Sequence, residues 1–225
     1  MHGDFESVDA WIKNLIQELD EAIQHEVVLC VQPLLVSDAI KCLSRTDVKV
    51  GCQDCHFEDK GAYTGFTSPK LLSHMHCDYV IVGHSERRSF EDDDLIHKKV
   101  LAAQRNHLIP VICVGESLDA RNQGKQETFV LKQLEVIMRG AEPSYCIAYE
   151  PLWAIGTGVM PTLDDIAAMH TAIKGFIHSD TVRVLYGGSV RSDNAGSILS
   201  LSSVDGLLVG GASLYVVEFK KILLV

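Results

Sequence analysis

Seven short apolar runs, at 27–31, 48–51, 79–83, 111–114, 146–149, 182–186 and 206–209, alternate with longer amphipathic stretches along nearly the whole chain. Apart from Lys49 and Arg183, each run is apolar throughout rather than at every second residue. That is the pattern of strands covered on both faces of a parallel sheet. The first amphipathic stretch carries Val8, Trp11, Ile12, Leu15, Ile16, Leu19 and Ile23 on one stripe, with Ser7 as its expected N-cap. Further helical patterns fall at 37–44, 92–107, 127–139, 162–178 and 192–199. Strand and helix in regular alternation, with no polar edge strand, favour a closed α/β barrel in one domain over 1–225, although pattern alone leaves an open doubly wound sheet in play. The strand count is one short of a barrel's eight, the chain opens on a helix, and 225 residues fall below the roughly 250 typical of the fold. The expectation is a barrel whose first strand is missing from this chain, an N-terminal truncation.

Composition narrows the partners. Acidic residues outnumber basic ones by 30 to 20, for a net charge of −10, which argues against nucleic acid and anionic membrane. No apolar run approaches membrane-spanning length, and Asp4, Glu6 and Asp9 stand where a secretory signal would be basic and apolar. A cytoplasmic protein is expected. Seven cysteines, an odd number without framework spacing, read as reduced thiols. Cys52 and Cys55 form a Cys-x-x-Cys, but no helix pattern follows and no second pair completes a zinc site. His74 and His76 read as the end of a short surface helix rather than as a metal pair.

In a parallel barrel the residues just after each strand carry the chemistry. The run 148–158 sets Glu150 at a strand end, followed by Pro151, an apolar Trp153 and Ile155, and the hinge-like Gly156-Thr157-Gly158, which together have the make-up of a lid. After 79–83 comes His84-Ser85-Glu86-Arg87-Arg88. His84 can cap the following helix, or act as a neutral donor whose pKa the helix N-terminus lowers. Gly115-Glu116-Ser117 reads as ordinary turn chemistry, and Cys113 as core rather than nucleophile. Gly187-Gly188-Ser189 and Gly210-Gly211-Ala212-Ser213 close the last two runs, where backbone amides of such barrels cradle phosphate.

The segments 79–88, 148–158, 186–190 and 206–213, and the loop opening at Gln53 with its Gly61-Ala62-Tyr63-Thr64-Gly65 tip, resemble the triosephosphate isomerase family in the family's own order. The likeness covers essentially the whole chain. It implies the (β/α)8 TIM barrel fold and interconversion of dihydroxyacetone phosphate and glyceraldehyde 3-phosphate through an enediolate, without metal or organic cofactor. It also implies a glycolytic and gluconeogenic role. By resemblance, Glu150 is the proton-transferring base and His84 polarises the substrate oxygens. Main-chain groups of Gly156, Ser189, Gly210 and Gly211 hold the phosphate. Glu86 matches an acid beside the site, Ser85 belongs to the same supporting segment, and Tyr186 and Ser189 match residues that latch the closed lid. Lids of this kind exclude water, and this family's own loop is a standard example.

Three departures stand out. The family opens on a strand ending in Asn-x-Lys, and this chain starts at Met1-His2-Gly3, which resembles the stretch just after that lysine. Loss of the cation facing a dianionic substrate implies an impaired or inactive chain, and exposed edges on both flanking strands imply poor solubility, unless an upstream segment precedes Met1. Phe66 stands where the family has glutamate, next to a tip that implies a homodimer through the loop from Gln53 to Pro69. The other reading is a silent phosphate-binding barrel or interaction scaffold. A different phosphate-binding barrel enzyme is disfavoured, because His84 and the lid segment occur together.

Overall fold

The computed structural model describes residues 2–18, 25–155 and 159–225. Seven strands form one sheet: β1 (Val28–Val31), β2 (Lys49–Cys52), β3 (Tyr79–Val82), β4 (Ile109–Val114), β5 (Cys146–Tyr149), β6 (Arg183–Tyr186) and β7 (Gly206–Leu207). All neighbours pair parallel and in sequence order. The expected runs are found with ends moved by a residue or two. Among the described residues no pairing returns β7 to β1, so the barrel stays open along that seam.

Nine helices lie among the described residues: α1 (Phe5–Glu18), α2 (Val36–Leu43), α3 (Pro69–His74), α4 (Asp93–Arg105), α5 (Leu118–Asn122), α6 (Gln126–Ile137), α7 (Leu163–Ile177), α8 (Ala195–Leu199) and α9 (Val216–Leu223). None is long and apolar enough to cross a membrane. The stripe of α1 buries Ile12 and Leu15 completely, while Leu19 and Ile23 lie outside the described residues. Ser7 is not its N-cap. Asp4 takes that place: its carboxylate accepts the Ser7 amide at 2.8 Å and Ser7 Oγ accepts the Asp4 amide at 2.9 Å, so the helix starts three residues earlier. Thr162 caps α7 in a reciprocal pair with Asp165. His74 does end a short helix, α3.

Strand alternation divides the core in two. Val80, Val82, Ile112, Val114, Ile147 and Tyr149 pack outward under the helices, while Tyr79, Ile81, Val111, Cys113 and Ala148 fill the barrel interior. Glu150 continues the inward set. On β3 the alternation would send His84 outward, but Gly83 takes a φ of +70° and turns the chain. A Cβ on Gly83 would also stand 2.8 Å from Ile96 on α4.

A buried ion cluster fixes the base of the His84 segment. Lys99, 1% exposed, bonds Asp54 at 2.6 Å and Glu91 at 2.7 Å. Arg87 joins the same acids at 3.1 and 2.5 Å. Two cations and two carboxylates thereby pair where a lone charge would be costly, with Glu91 Oε2 left without a hydrogen-bond partner among the described residues.

Candidate active site

Glu150 leaves β5 at the C-terminal end of the sheet and is 2% exposed. Its amide donates to Val114 O at 2.7 Å, one rung beyond the β4–β5 ladder. Gly115 and Gly187 flank it closely: a Cβ on the first would stand 1.7 Å from the Glu150 carbonyl oxygen, and on the second 3.0 Å from its Cγ. Two tight turns therefore press the base into place from both neighbouring strands.

The Glu150 carboxylate meets the His84 segment across 65 residues of sequence. Oε2 accepts the Ser85 amide at 2.9 Å, Oε1 lies 3.5 Å from Ser85 Oγ, and His84 Nε2 approaches Oε1 at 3.0 Å. His84 also caps the 3-10 turn Ser85–Arg87, its Nδ1 accepting the Glu86 amide at 3.3 Å. With Nδ1 occupied as an acceptor, the ring proton belongs on Nε2, pointing at the base. The imidazole pKa is not lowered as expected of a residue at a helix start. The hydrogen bond to Glu150 raises it above 6.5, against the opposing effect of burial. The short turn contributes only that one amide, while the carboxylate is in direct contact. Glu86 stands beside the site with its Oε2 3.9 Å from Nδ1 and its side chain in solvent.

The start of the lid segment is anchored by contacts that sequence reading missed. Trp153 Nε1 donates to Glu116 Oε1 at 2.6 Å, and Tyr149 OH donates to the same oxygen at 3.2 Å. Glu116 is fully buried, so the acid read as ordinary turn chemistry is a buried acceptor for Trp153 and Tyr149. Arg121 lies over the Trp153 ring at 4.3 Å and bonds Asp165 at 2.6 Å. The signal that could have found Glu116 was its position, one residue past a strand-end glycine with no basic residue beside it in sequence.

Of the residues expected to bind phosphate, Ser189, Gly210 and Gly211 lie at the same end of the sheet, after β6 and β7. Ser189 is half-buried, with Oγ 3.4 Å from Ala154 O of the lid segment. Gly210 and Gly211 are exposed, with nothing within 4 Å of where a Cβ would be. Gly156 lies outside the described residues. Tyr186 is fully buried, its hydroxyl has no hydrogen-bond partner among the described residues, and a Cβ on Gly188 would stand 2.2 Å from that oxygen. Cys113 is core as expected, its thiol pushed well up by burial and by Glu150.

The family model described as triosephosphate isomerase matches residues 1–225. The chain belongs to the triosephosphate isomerase family. The triosephosphate isomerase of Hahella chejuensis is 41% identical over 208 residues, spanning 88% of this chain and 84% of that one. That of a Thermoanaerobacter species is 40% identical over 224 residues, spanning 94% and 90%. The crystal structure of triosephosphate isomerase from Bartonella henselae superposes with a TM-score of 0.89 at 37% identity, covering 99% of this chain and 93% of that one. The open seven-stranded barrel is thus the family's α/β barrel, and the chain is an enzyme of the isomerase class. Neither the expected impairment nor a silent scaffold gains support from these comparisons.

Proposed function

We propose that the chain interconverts dihydroxyacetone phosphate and glyceraldehyde 3-phosphate, with Glu150 as the base and His84 as the electrophile. The contact between them carries this reading: a carboxylate excluded from water, 3.0 Å from an imidazole nitrogen whose proton faces it. In the unliganded protein the pair is satisfied internally. A substrate carbonyl arriving between the two takes the Nε2–H, while the carboxylate takes a proton from the adjacent carbon. The C–H electrons move into the new C=C bond and the carbonyl electrons move onto oxygen, giving an enediolate. His84 passes its Nε2 proton to the former carbonyl oxygen and takes the proton of the neighbouring hydroxyl, so the charge moves to that second oxygen. As it becomes the new carbonyl, the C=C electrons take the proton back from the Glu150 carboxyl at the other carbon. Once the carboxylate is drawn off the ring, the Glu86 amide on Nδ1 still favours neutral imidazole.

Ser85 holds the base in its waiting position. Backbone groups of Gly210, Gly211 and Ser189, with Gly156 from the lid, suit a phosphate dianion, because exposed glycine amides allow close approach. Tyr186 offers an unused buried hydroxyl to a closing lid. The aromatic loop tip supports a homodimer: His56 stacks on Phe57 at 4.2 Å and lies tilted against Tyr63 at 4.2 Å and Phe66 at 4.7 Å, yet Tyr63 and Phe66 remain 41% and 59% exposed. Seven unpaired thiols suit the cytoplasm.

Glu150→Gln tests the assignment. Removal of a general base should lower kcat about 10²- to 10⁴-fold while KM stays within a few-fold. A variant with wild-type kcat would overturn it.

A further inference from the structure

Arg88 stands outside the acid–base pair, yet its guanidinium bonds in three directions. Nε donates to the Gly83 carbonyl at 3.0 Å, Nη2 donates to the Cys113 carbonyl at 2.7 Å, and Nη1 pairs with Asp93 at the start of α4. The two carbonyls are equivalent positions on neighbouring strands. The β3–β4 register pairs Val82 with Ile112, so Gly83 and Cys113 lie one step beyond the last paired residues. The guanidinium closes that next rung from the side, where the left-handed Gly83 turns the chain into His84. On the β4 side Cys113 precedes Val114, whose carbonyl receives the Glu150 amide at 2.7 Å. One planar fork therefore ties the residue before His84 to the strand from which the Glu150 backbone hangs. An arginine serving only as an ion-pair partner for Asp93 would not need both carbonyl bonds.

We propose that Arg88 is a positioning residue for the isomerisation, setting the spacing and angle between His84 and Glu150 by locking the end of β3 to the end of β4. This rests on the roles given to His84 and Glu150 above. The geometry demands a fork: a lysine ammonium is a single compact donor and cannot reach both carbonyls in one plane while also meeting Asp93.

Arg88→Lys in the full chain separates positioning from bulk stability, with Arg88→Met as a second variant. Three readouts are needed: thermal unfolding, steady-state kinetics with triose phosphate, and the NMR titration of the His84 ring in the unliganded protein. The groups facing that ring are Glu150 and Glu86. We expect Arg88→Lys to fold, to lose about 10- to 100-fold in kcat with KM within about twofold, and to shift the His84 midpoint downward by about half a pH unit as its contact with Glu150 loosens. An Arg88→Lys protein with unchanged kcat and unchanged His84 titration overturns the proposal. So does a variant whose activity falls only in step with its folded fraction while the His84 midpoint stays put. If the unmodified chain shows no isomerase activity, the assignment of function fails on its own, and the His84 titration still decides the role of Arg88. If Arg88→Lys does not fold, the same two measurements on Arg88→Met decide.

Discussion

Replacing Gly115 by alanine should damage the base without touching it chemically. The added Cβ would stand 1.7 Å from the Glu150 carbonyl oxygen and 2.6 Å from its carbon, where ordinary contact begins at 3.4 Å. The ends of β4 and β5 must therefore separate by about 1.7 Å along that direction. Two bonds would be disturbed: Glu150 N to Val114 O at 2.7 Å, which crosses the seam, and Gly115 N to Gln133 Oε1 at 3.0 Å, which ties the end of β4 to α6. Neither keeps hydrogen-bond geometry after such a movement. Two bonds at about 1 kcal/mol each, plus about 2 kcal/mol of overpacking strain, make about 4 kcal/mol of lost stability. A base displaced by about 1 Å costs about 100-fold in rate. The measurements are urea unfolding and kcat/KM, beside a control at Gly175 in α7. There a Cβ meets nothing within 4 Å, and alanine should stabilise the helix by about 1 kcal/mol with activity retained. A Gly115→Ala protein with near-wild-type stability and kcat/KM within twofold would refute the argument that this backbone contact positions Glu150.

Two further outcomes can be checked. His170 is fully buried, with the Tyr149 and Tyr186 rings 5.9 and 6.4 Å away and neither nitrogen in hydrogen-bond geometry among the described residues. Burial pushes its imidazole down to about 4, against a weaker upward effect of the Ser203 backbone. The folded chain thus prefers the neutral ring, so this contribution to stability is complete above pH 6.5 and is lost as pH falls from there toward 4, by about 3 kcal/mol in all. His170→Phe should flatten the urea-midpoint profile over that window, and a variant as pH-sensitive as the wild type would sink the idea. At the loop tip of the proposed dimer, Phe66→Lys removes apolar burial of about 2 kcal/mol per site, about 4 kcal/mol over the two sites, so sedimentation should show dissociation at about 1,000-fold higher protein concentration. A wild-type chain that sediments as a monomer at micromolar concentration would count against the dimer itself.

Strand content was legible because continuous apolar runs have one common use in a parallel α/β fold, and the position of Glu150 was legible because function follows strand ends. The resemblance brought His84 and Glu150 to one site, but the supporting contacts made across long sequence separation escaped reading. Glu116 meets Trp153 across 37 residues, and Arg88 meets Cys113 across 25. No local period encodes such pairings. The protonation preference of His84 failed for the same reason: its nearest charged neighbour in space is Glu150, on another strand. The Asp4 cap was missed at shorter range, because serine and aspartate are nearly equal candidates and only the first turn's geometry chooses between them.

The cysteines have a use that follows from where the barrel places them. Cys30 lies on β1, Cys52 on β2, Cys77 just before β3, Cys113 on β4 and Cys146 on β5. Burial pushes the thiols of Cys30 and Cys77 up to about 12 and those of Cys52 and Cys146 up to about 11, so in the closed fold they are poor nucleophiles. The buried Cys52, Cys77 and Cys113 become alkylatable when their own part of the sheet opens, and the half-buried Cys30 and Cys146 react faster as theirs does. The chain thus carries a native row of timers, one per strand across five consecutive positions of the sheet. Mass-resolved labelling would record the order in which the wall comes apart, with Cys30 at the unpaired edge as the first timer to start.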